Sequence, residues 1–63
     1  MTYLYAAGYG PSEYFYDPQE AAVRTIEDTD CDYSRIPALT QKLRNLAPGD
    51  ALTEDHITIE RID

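Results

Sequence analysis

The run Glu27–Asp32 is the densest group of potentially reactive side chains in this sequence, with four acids and no base in six residues. Its three aspartates follow a D-x-D-x-D spacing, which is how a calcium loop of the EF-hand type begins. Such a loop also needs Gly at position six and Glu at position twelve. Counted from Asp28, those positions hold Tyr33 and Leu39. The sequence therefore predicts no dedicated calcium site.

The spacing of these aspartates also suits imitation of a nucleic-acid backbone. In an extended chain, alternate residues face one side about 6.6 Å apart, and a DNA strand advances about 3.4 Å per phosphate. Asp28, Asp30 and Asp32 would then imitate every second phosphate of one strand. A protein that grips DNA with Lys and Arg would bind such a surface quickly and with strong salt dependence.

Helix capping is a second interpretation of the same run, and it stays open. Asp30 and Asp32 precede a predicted helix, whose N-terminal dipole favours each negative charge by about 0.3–1 kcal/mol. Glu27 and Asp28 lie at the C-terminal end of another predicted helix, where that dipole is unfavourable. Capping therefore explains only part of the run.

We predict that flanking acids extend the surface, with Glu13, Asp17 and Glu20 on one side and Glu54, Asp55 and Glu60 on the other. The predicted partner-binding carboxylates are those of Glu27, Asp28, Asp30, Asp32, Glu13, Asp17, Glu54 and Asp55.

The other reactive side chains do not form a catalytic set. Cys31 lies between two aspartates, and their negative charge disfavours the thiolate that a nucleophile needs. His56 is the only histidine and there is no cysteine pair, so zinc has no ligand set. A chain of 63 residues is also short for a substrate cleft. We therefore expect no enzyme activity, no metal and no cofactor.

Size and composition favour one folded domain, residues 1–63. Hydrophobic residues make up 43% of the chain, including six Tyr and one Phe, which is more than a disordered acidic tail carries. Twelve acids against five bases give a net charge of −7. A domain of this length buries only about 60% of its surface, so that charge lies outside. The acidic balance argues against direct binding to nucleic acid or to anionic lipid.

Sequence features predict a cytoplasmic protein. The single cysteine excludes an internal disulfide, which is compatible with a reducing compartment. No basic segment followed by an apolar run opens the sequence, so no signal peptide is expected. No apolar stretch approaches the roughly 20 residues of a membrane helix.

Two β-prone segments open the chain. Residues 2–8 begin as a strand with alternating faces, and residues 13–16 are aromatic and β-prone. Gly8, Gly10 and Pro11 predict the turn of a hairpin. The tyrosines of these segments suit cross-strand packing. Alternatively, some of them are exposed, because Tyr is enriched at binding surfaces.

A helix is predicted over residues 18–27. Asp17 can cap it and Pro18 suits its first position. A strand over Ala22–Ile26 is the alternative, because Val, Thr and Ile all tolerate extended structure.

A second helix is predicted after the acidic run, with Ser34 as its N-cap and Pro37 in its first turn. Its apolar residues repeat at helical spacing and are Ile36, Leu39, Leu43 and Leu46. Residues 47–50, with Pro and Gly, end it.

Two short strands, Ala51–Thr53 and His56–Ile62, then follow around a turn at residues 54–55. Together these elements predict an α+β fold, a small antiparallel sheet of three or four strands with one or two helices packed on one face. Leu4 alternates with Tyr3 and Tyr5, and we place Leu4 in the core, with several tyrosines at its margin. The predicted core is Leu4, Val23, Ile26, Ile36, Leu39, Leu43, Leu46, Ile57 and Ile59.

A short, acidic chain with one cysteine and no catalytic set resembles the small inhibitors encoded by bacteriophages. It most resembles the anti-CRISPR proteins directed at type I systems, in particular type I-C, through its opening residues 1–10, MTYLYAAGYG, and the run 27–32. That resemblance implies a monomeric, stoichiometric inhibitor in the host bacterial cytoplasm. Its partner would be a basic, DNA-binding Cas effector subunit, whose channel for target DNA and the protospacer-adjacent motif it would occupy.

Two other function classes stay open. One is a small acidic regulatory adaptor or antitoxin-like protein, whose basic protein partner does not bind nucleic acid. The other is a structural phage component that associates with itself.

Overall fold

The β-prone segments from both ends of the chain join in one four-stranded antiparallel sheet. The structure is a computed structural model that describes residues 1–63. The two strands next to the chain ends lie in the middle of the sheet, because the strand order is β2-β1-β4-β3. Two helices complete the fold. The predicted α+β class is therefore confirmed, with four strands and two helices. The elements are β1 (Tyr3–Ala6), β2 (Glu13–Phe15), α1 (Pro18–Glu27), α2 (Ile36–Arg44), β3 (Ala51–Glu54) and β4 (Ile57–Arg61).

The register of the central strands decides which side chains enter the core. Tyr5 of β1 pairs with Ile59 of β4, and both point towards the helices. Tyr3 and Tyr5 are at most 2% exposed. Leu4 therefore lies on the opposite face of the sheet, where it is only partly buried. The prediction that Leu4 enters the core was wrong, and two of the tyrosines, Tyr3 and Tyr5, belong to the core instead of its margin.

Buried tyrosines are stable here because each hydroxyl has a partner on a helix. The hydroxyl of Tyr3 donates to the backbone carbonyl of Leu43, at 3.0 Å. The hydroxyl of Tyr5 donates to the carboxylate of Asp28. Both helices are thus held on the same face of the sheet.

Helix α1 spans the predicted residues 18–27, so the alternative strand over Ala22–Ile26 was wrong. The Asp17 carboxylate caps it by accepting the Gln19 N–H at 2.9 Å. The buried side of α1 includes Ala22 and Ile26. Val23 is one position further round the helix and is only half-buried, so its placement in the core was wrong.

Helix α2 begins at Ile36 instead of after Ser34. Ser34 lies within a 3₁₀ turn, Tyr33–Arg35, and Asp32 caps that turn. The Asp32 carboxylate accepts the Ser34 N–H at 3.2 Å and the Ser34 hydroxyl at 2.6 Å. Asp32 thus caps the 3₁₀ turn, whereas the N-cap position of α2 is Arg35, which makes no side-chain capping bond, so the prediction of Ser34 as the N-cap of α2 was wrong. The predicted apolar residues of α2 do face the core: Leu39 and Leu43 are buried, and Ile36 and Leu46 are partly buried against them.

The β3–β4 hairpin turns through two residues, Asp55 and His56. Asp55 has a φ of 57°, a left-handed conformation that Asp adopts more readily than most residues. Glu54 belongs to β3 and not to the predicted turn. The other face of the sheet has no covering layer, and its exposed side chains include Tyr14 at 58%. Neither helix has the length and apolar character that a membrane span requires.

Candidate acidic interface

The acidic run is a compact turn and not an extended segment. Glu27 is the last residue of α1, residues 28–30 form a turn, and Cys31 has a left-handed φ of 55°. The Cys31 N–H donates to the Ile26 carbonyl at 2.9 Å, which closes the turn. The regular 6.6 Å spacing of an extended chain therefore does not apply to these aspartates. Their predicted match to alternate phosphates of one DNA strand was wrong in its geometry.

Asp28 helps to hold the fold together. Its carboxylate is partly buried and accepts the hydroxyl of Tyr5 from the central strand β1. Burial, and then the bond to Asp28, raise the pKa of the Tyr5 hydroxyl well above its ordinary value. The contact joins the C-terminal end of α1 to the sheet, so this carboxylate is already in use within the molecule.

Asp30 and Glu54 share one base. The Arg35 guanidinium contacts the Asp30 carboxylate at 2.7 Å and also binds Glu54 at the end of β3. The backbone N–H of Asp32, and then Arg35, hold the pKa of Asp30 below its ordinary value. The bond to Glu54 and then that to Asp30 raise the pKa of Arg35. Arg35 therefore ties the acidic turn to the β3–β4 hairpin.

Glu13 pairs with Arg24, which connects β2 to α1. This bond raises the pKa of Arg24. The Arg24 guanidinium also lies over the ring of Phe15, 5.5 Å from its centroid, in a cation–π arrangement.

Asp55 lies apart from the acidic run, in the β3–β4 turn. Its carboxylate is 3.8 Å from Nδ1 of His56. The imidazole of His56 lies beside the ring of Tyr9, with the centroids 5.3 Å apart. All three side chains are exposed, so this group lacks the enclosure that a catalytic triad uses.

An open groove of about 330 Å³ lies between β2 and the exposed side of α1. It brings together Glu27 and Asp17 from the predicted set and adds Glu20, one of the flanking acids that were expected to extend the surface. Phe15 and Val23 supply its apolar surface. Sequence reasoning missed this apolar part because Val23 was assigned to the core. Helical spacing contained the signal, since Val23 is three residues from Glu20 and four from Glu27.

The eight predicted carboxylates therefore differ in how they are engaged. Asp55 lies apart in the β3–β4 turn beside His56. Five others accept internal hydrogen bonds: Glu13, Asp28, Asp30, Asp32 and Glu54. Glu27 has no hydrogen-bond or ion-pair partner and stays available, whereas Asp17 combines a capping bond with a place in the groove.

This arrangement can attract and bind cations, but it shows no assembled metal site. No three His, Cys, Asp or Glu side chains are grouped so that they would hold a metal ion. No known protein family, curated protein or solved structure matches this chain.

Proposed function

We propose that this protein is a phage-encoded, stoichiometric inhibitor of a host type I CRISPR surveillance complex, of type I-C. It binds the basic channel of a Cas effector subunit through its acidic surface and thereby blocks target DNA and its protospacer-adjacent motif. No turnover and no cofactor are involved. The CRISPR target is what the resemblance to anti-CRISPR proteins implies, and the acidic charge of the exposed surface supports a basic partner.

The supporting observation is that most of the bases are engaged within the molecule. Arg24 pairs with Glu13, and Arg35 pairs with two acids. The Arg61 guanidinium donates to the carbonyl of Leu46. Only Lys42 and Arg44, in the last turn of α2, lack an internal acceptor. The remaining carboxylates are therefore poorly screened, and a basic channel is their electrostatic complement.

Internal bonds do not remove the other acids from this surface. A carboxylate has about four lone-pair sites, so one internal bond leaves it able to accept another from Lys or Arg. Asp30 and Asp32 are exposed and keep that capacity. Glu20 and Glu27 are exposed with no internal partner, so they are the side chains whose replacement tests binding most cleanly.

The experiment measures binding of a target duplex to a purified type I-C surveillance complex with increasing inhibitor. We expect complete inhibition near a fixed molar ratio, and loss of inhibition for the variant Glu20→Lys/Glu27→Lys. The matched control is Asp50→Lys/Asp63→Lys, because each variant changes the net charge by +4, from −7 to −3. Asp50 precedes β3, at the opposite edge of the sheet from β2.

Equal inhibition by the groove variant and wild type would contradict the assigned surface, and no inhibition by wild type would contradict the function. Binding to a basic protein that duplex DNA does not displace would indicate the adaptor class instead. A triple reversal of Asp28, Asp30 and Asp32 is a poor test, because Asp28 and Asp32 hold the fold.

A further inference from the structure

We propose that the groove between β2 and α1 receives a single arginine side chain from the protein partner. This inference deepens the proposed function and rests on it in one respect, namely that the partner presents a basic surface. The groove's volume of about 330 Å³ lies at the lower end of the roughly 300–1,000 Å³ that ligand sites occupy. One long side chain is therefore a better match for it than a folded segment.

The apolar surface of the groove suits the hydrocarbon stem of such a side chain. Val23 is half-buried and does not join the core cluster, so its exposed part faces the groove. Phe15 is also half-buried, and its ring already has one guanidinium stacked on it, that of Arg24. Arg and Lys lay their methylene groups along apolar surface while their charged ends stay in contact with polar groups.

The charge of the groove is complementary to a cation. Asp17, Glu20 and Glu27 line it, and its one base, Arg24, is paired with Glu13. These four acids and one base sum to −3. An incoming cation therefore meets a net negative site, even beside Arg24.

The spacing of the groove's carboxylates favours binding of a guanidinium over an ammonium group. Glu20 and Glu27 are seven residues apart on α1, about 10.5 Å along the helix axis, with Val23 between them. A guanidinium offers five N–H donors in a plane and can contact two carboxylates at once. An ammonium is a compact point charge, so it is less able to contact two carboxylates that lie apart. A second copy of this chain is a weaker candidate occupant, because each copy carries −7.

The test is a nuclear magnetic resonance titration of the uniformly ¹⁵N-labelled protein with acetyl-Gly-Arg-Gly-amide, and in parallel with its Lys counterpart. We expect amide shifts to concentrate at Phe15, Glu20, Val23 and Glu27, and the Arg peptide to bind more tightly than the Lys peptide. The Glu20→Gln/Glu27→Gln variant should bind the Arg peptide about tenfold more weakly. The control Asp50→Asn/Asp63→Asn carries the same charge change and should bind within about twofold of wild type.

Shifts spread evenly over all acids, equal affinity for the two peptides, or equal weakening in the control would each overturn the proposal. The unperturbed part of the spectrum verifies that the variants are folded. The peptide titration contains no CRISPR complex, so it tests the arginine site separately from the proposed inhibition. Either proposal can therefore fail while the other holds. Shifts that grow with protein concentration without peptide would identify a second copy as the occupant and would also overturn it.

Discussion

At the scale of single residues, the contact between Tyr5 and Asp28 gives one acid of the acidic run a structural role. An acid that the sequence assigned to a partner is the acceptor for a buried tyrosine on the central strand. Hydrogen bonds to charged groups contribute about 1.5–3 kcal/mol. One carboxylate of the run is therefore explained by stability, without any partner.

The variant Tyr5→Phe tests this contact. It removes the donor and keeps the ring, so we expect the free energy of unfolding to fall by about 1.5–3 kcal/mol, and Tm by roughly 6–24 °C for a domain of this size. The matched control is Tyr14→Phe, since the Tyr14 hydroxyl is exposed and bonds to nothing. The control should stay within about 0.5 kcal/mol of wild type. Equal effects of the two substitutions would contradict the assignment.

The same pair of variants tests a second prediction, that the free energy of unfolding falls at alkaline pH. Burial raises the pKa of Tyr5 and Tyr3 in the folded protein, whereas an unfolded tyrosine titrates near pH 10. The folded state then binds more protons than the unfolded state, so this stability is complete below about pH 10 and is lost as pH rises further. Urea unfolding across that range should show a shallower decline for Tyr5→Phe. The Tyr14→Phe variant keeps both buried hydroxyls and should show the wild-type slope.

At the scale of elements, Arg35 connects the 3₁₀ turn, the acidic turn and the end of β3. It lies in the 3₁₀ turn before α2 and binds Asp30 in the acidic turn and Glu54 at the end of β3. All three side chains are partly exposed to water, so these ion pairs are screened and individually weak. Their joint effect is to hold the turn against the hairpin.

The variant Arg35→Ala should destabilise the protein modestly at low salt, because it removes two weak, screened ion pairs. The loss should shrink at 1 M NaCl, where the Debye length is about 3 Å. Arg44→Ala is the matched control, because it removes the same charge from a residue without an internal partner. Urea denaturation at both salt concentrations measures the difference. If the two variants respond alike, Arg35 adds only its charge and not a specific link.

At the scale of the whole molecule, unbalanced charge opposes both compaction and self-association. The Cα atoms extend 28 × 26 × 16 Å, and at an ionic strength of 0.01 M the Debye length is about 30 Å. All of the charges therefore repel or attract one another across the molecule under these conditions. With a net charge of −7, repulsion dominates.

We expect a monomer of 7.2 kDa in sedimentation at all protein concentrations, and a Tm that rises as ionic strength increases from about 0.01 M to about 0.15 M. The Glu20→Gln/Glu27→Gln variant has a net charge of −5, from −7 + 2, so its Tm should start higher and rise less. Concentration-dependent association would favour the structural phage component instead. A Tm that falls with salt would show that specific ion pairs outweigh the repulsion.

The sequence alone determined the elements whose signals are local. Helix α1 was predicted to its end residues because Asp17 and Pro18 define its start by their own chemistry. The apolar spacing of Leu39 and Leu43 identified the buried side of α2. The α+β class followed from these segments, since each must bury one face against another element.

Only the tertiary structure decided which acids are free. The alternation of side chains along a strand does not say which face of the sheet is buried. The pairing of Tyr5 with Ile59 places Leu4 on the face away from the helices. That choice brought Tyr5 against Asp28, while folding placed Arg35 between Asp30 and Glu54. Arg35 is only five positions from Asp30, so the sequence already indicated that contact. Tyr5 and Asp28 are 23 positions apart and Arg35 and Glu54 are 19 apart, so no local pattern predicts those two contacts. The acidic run is therefore largely a structural turn, and the groove at Glu20 and Glu27 carries the unengaged charge.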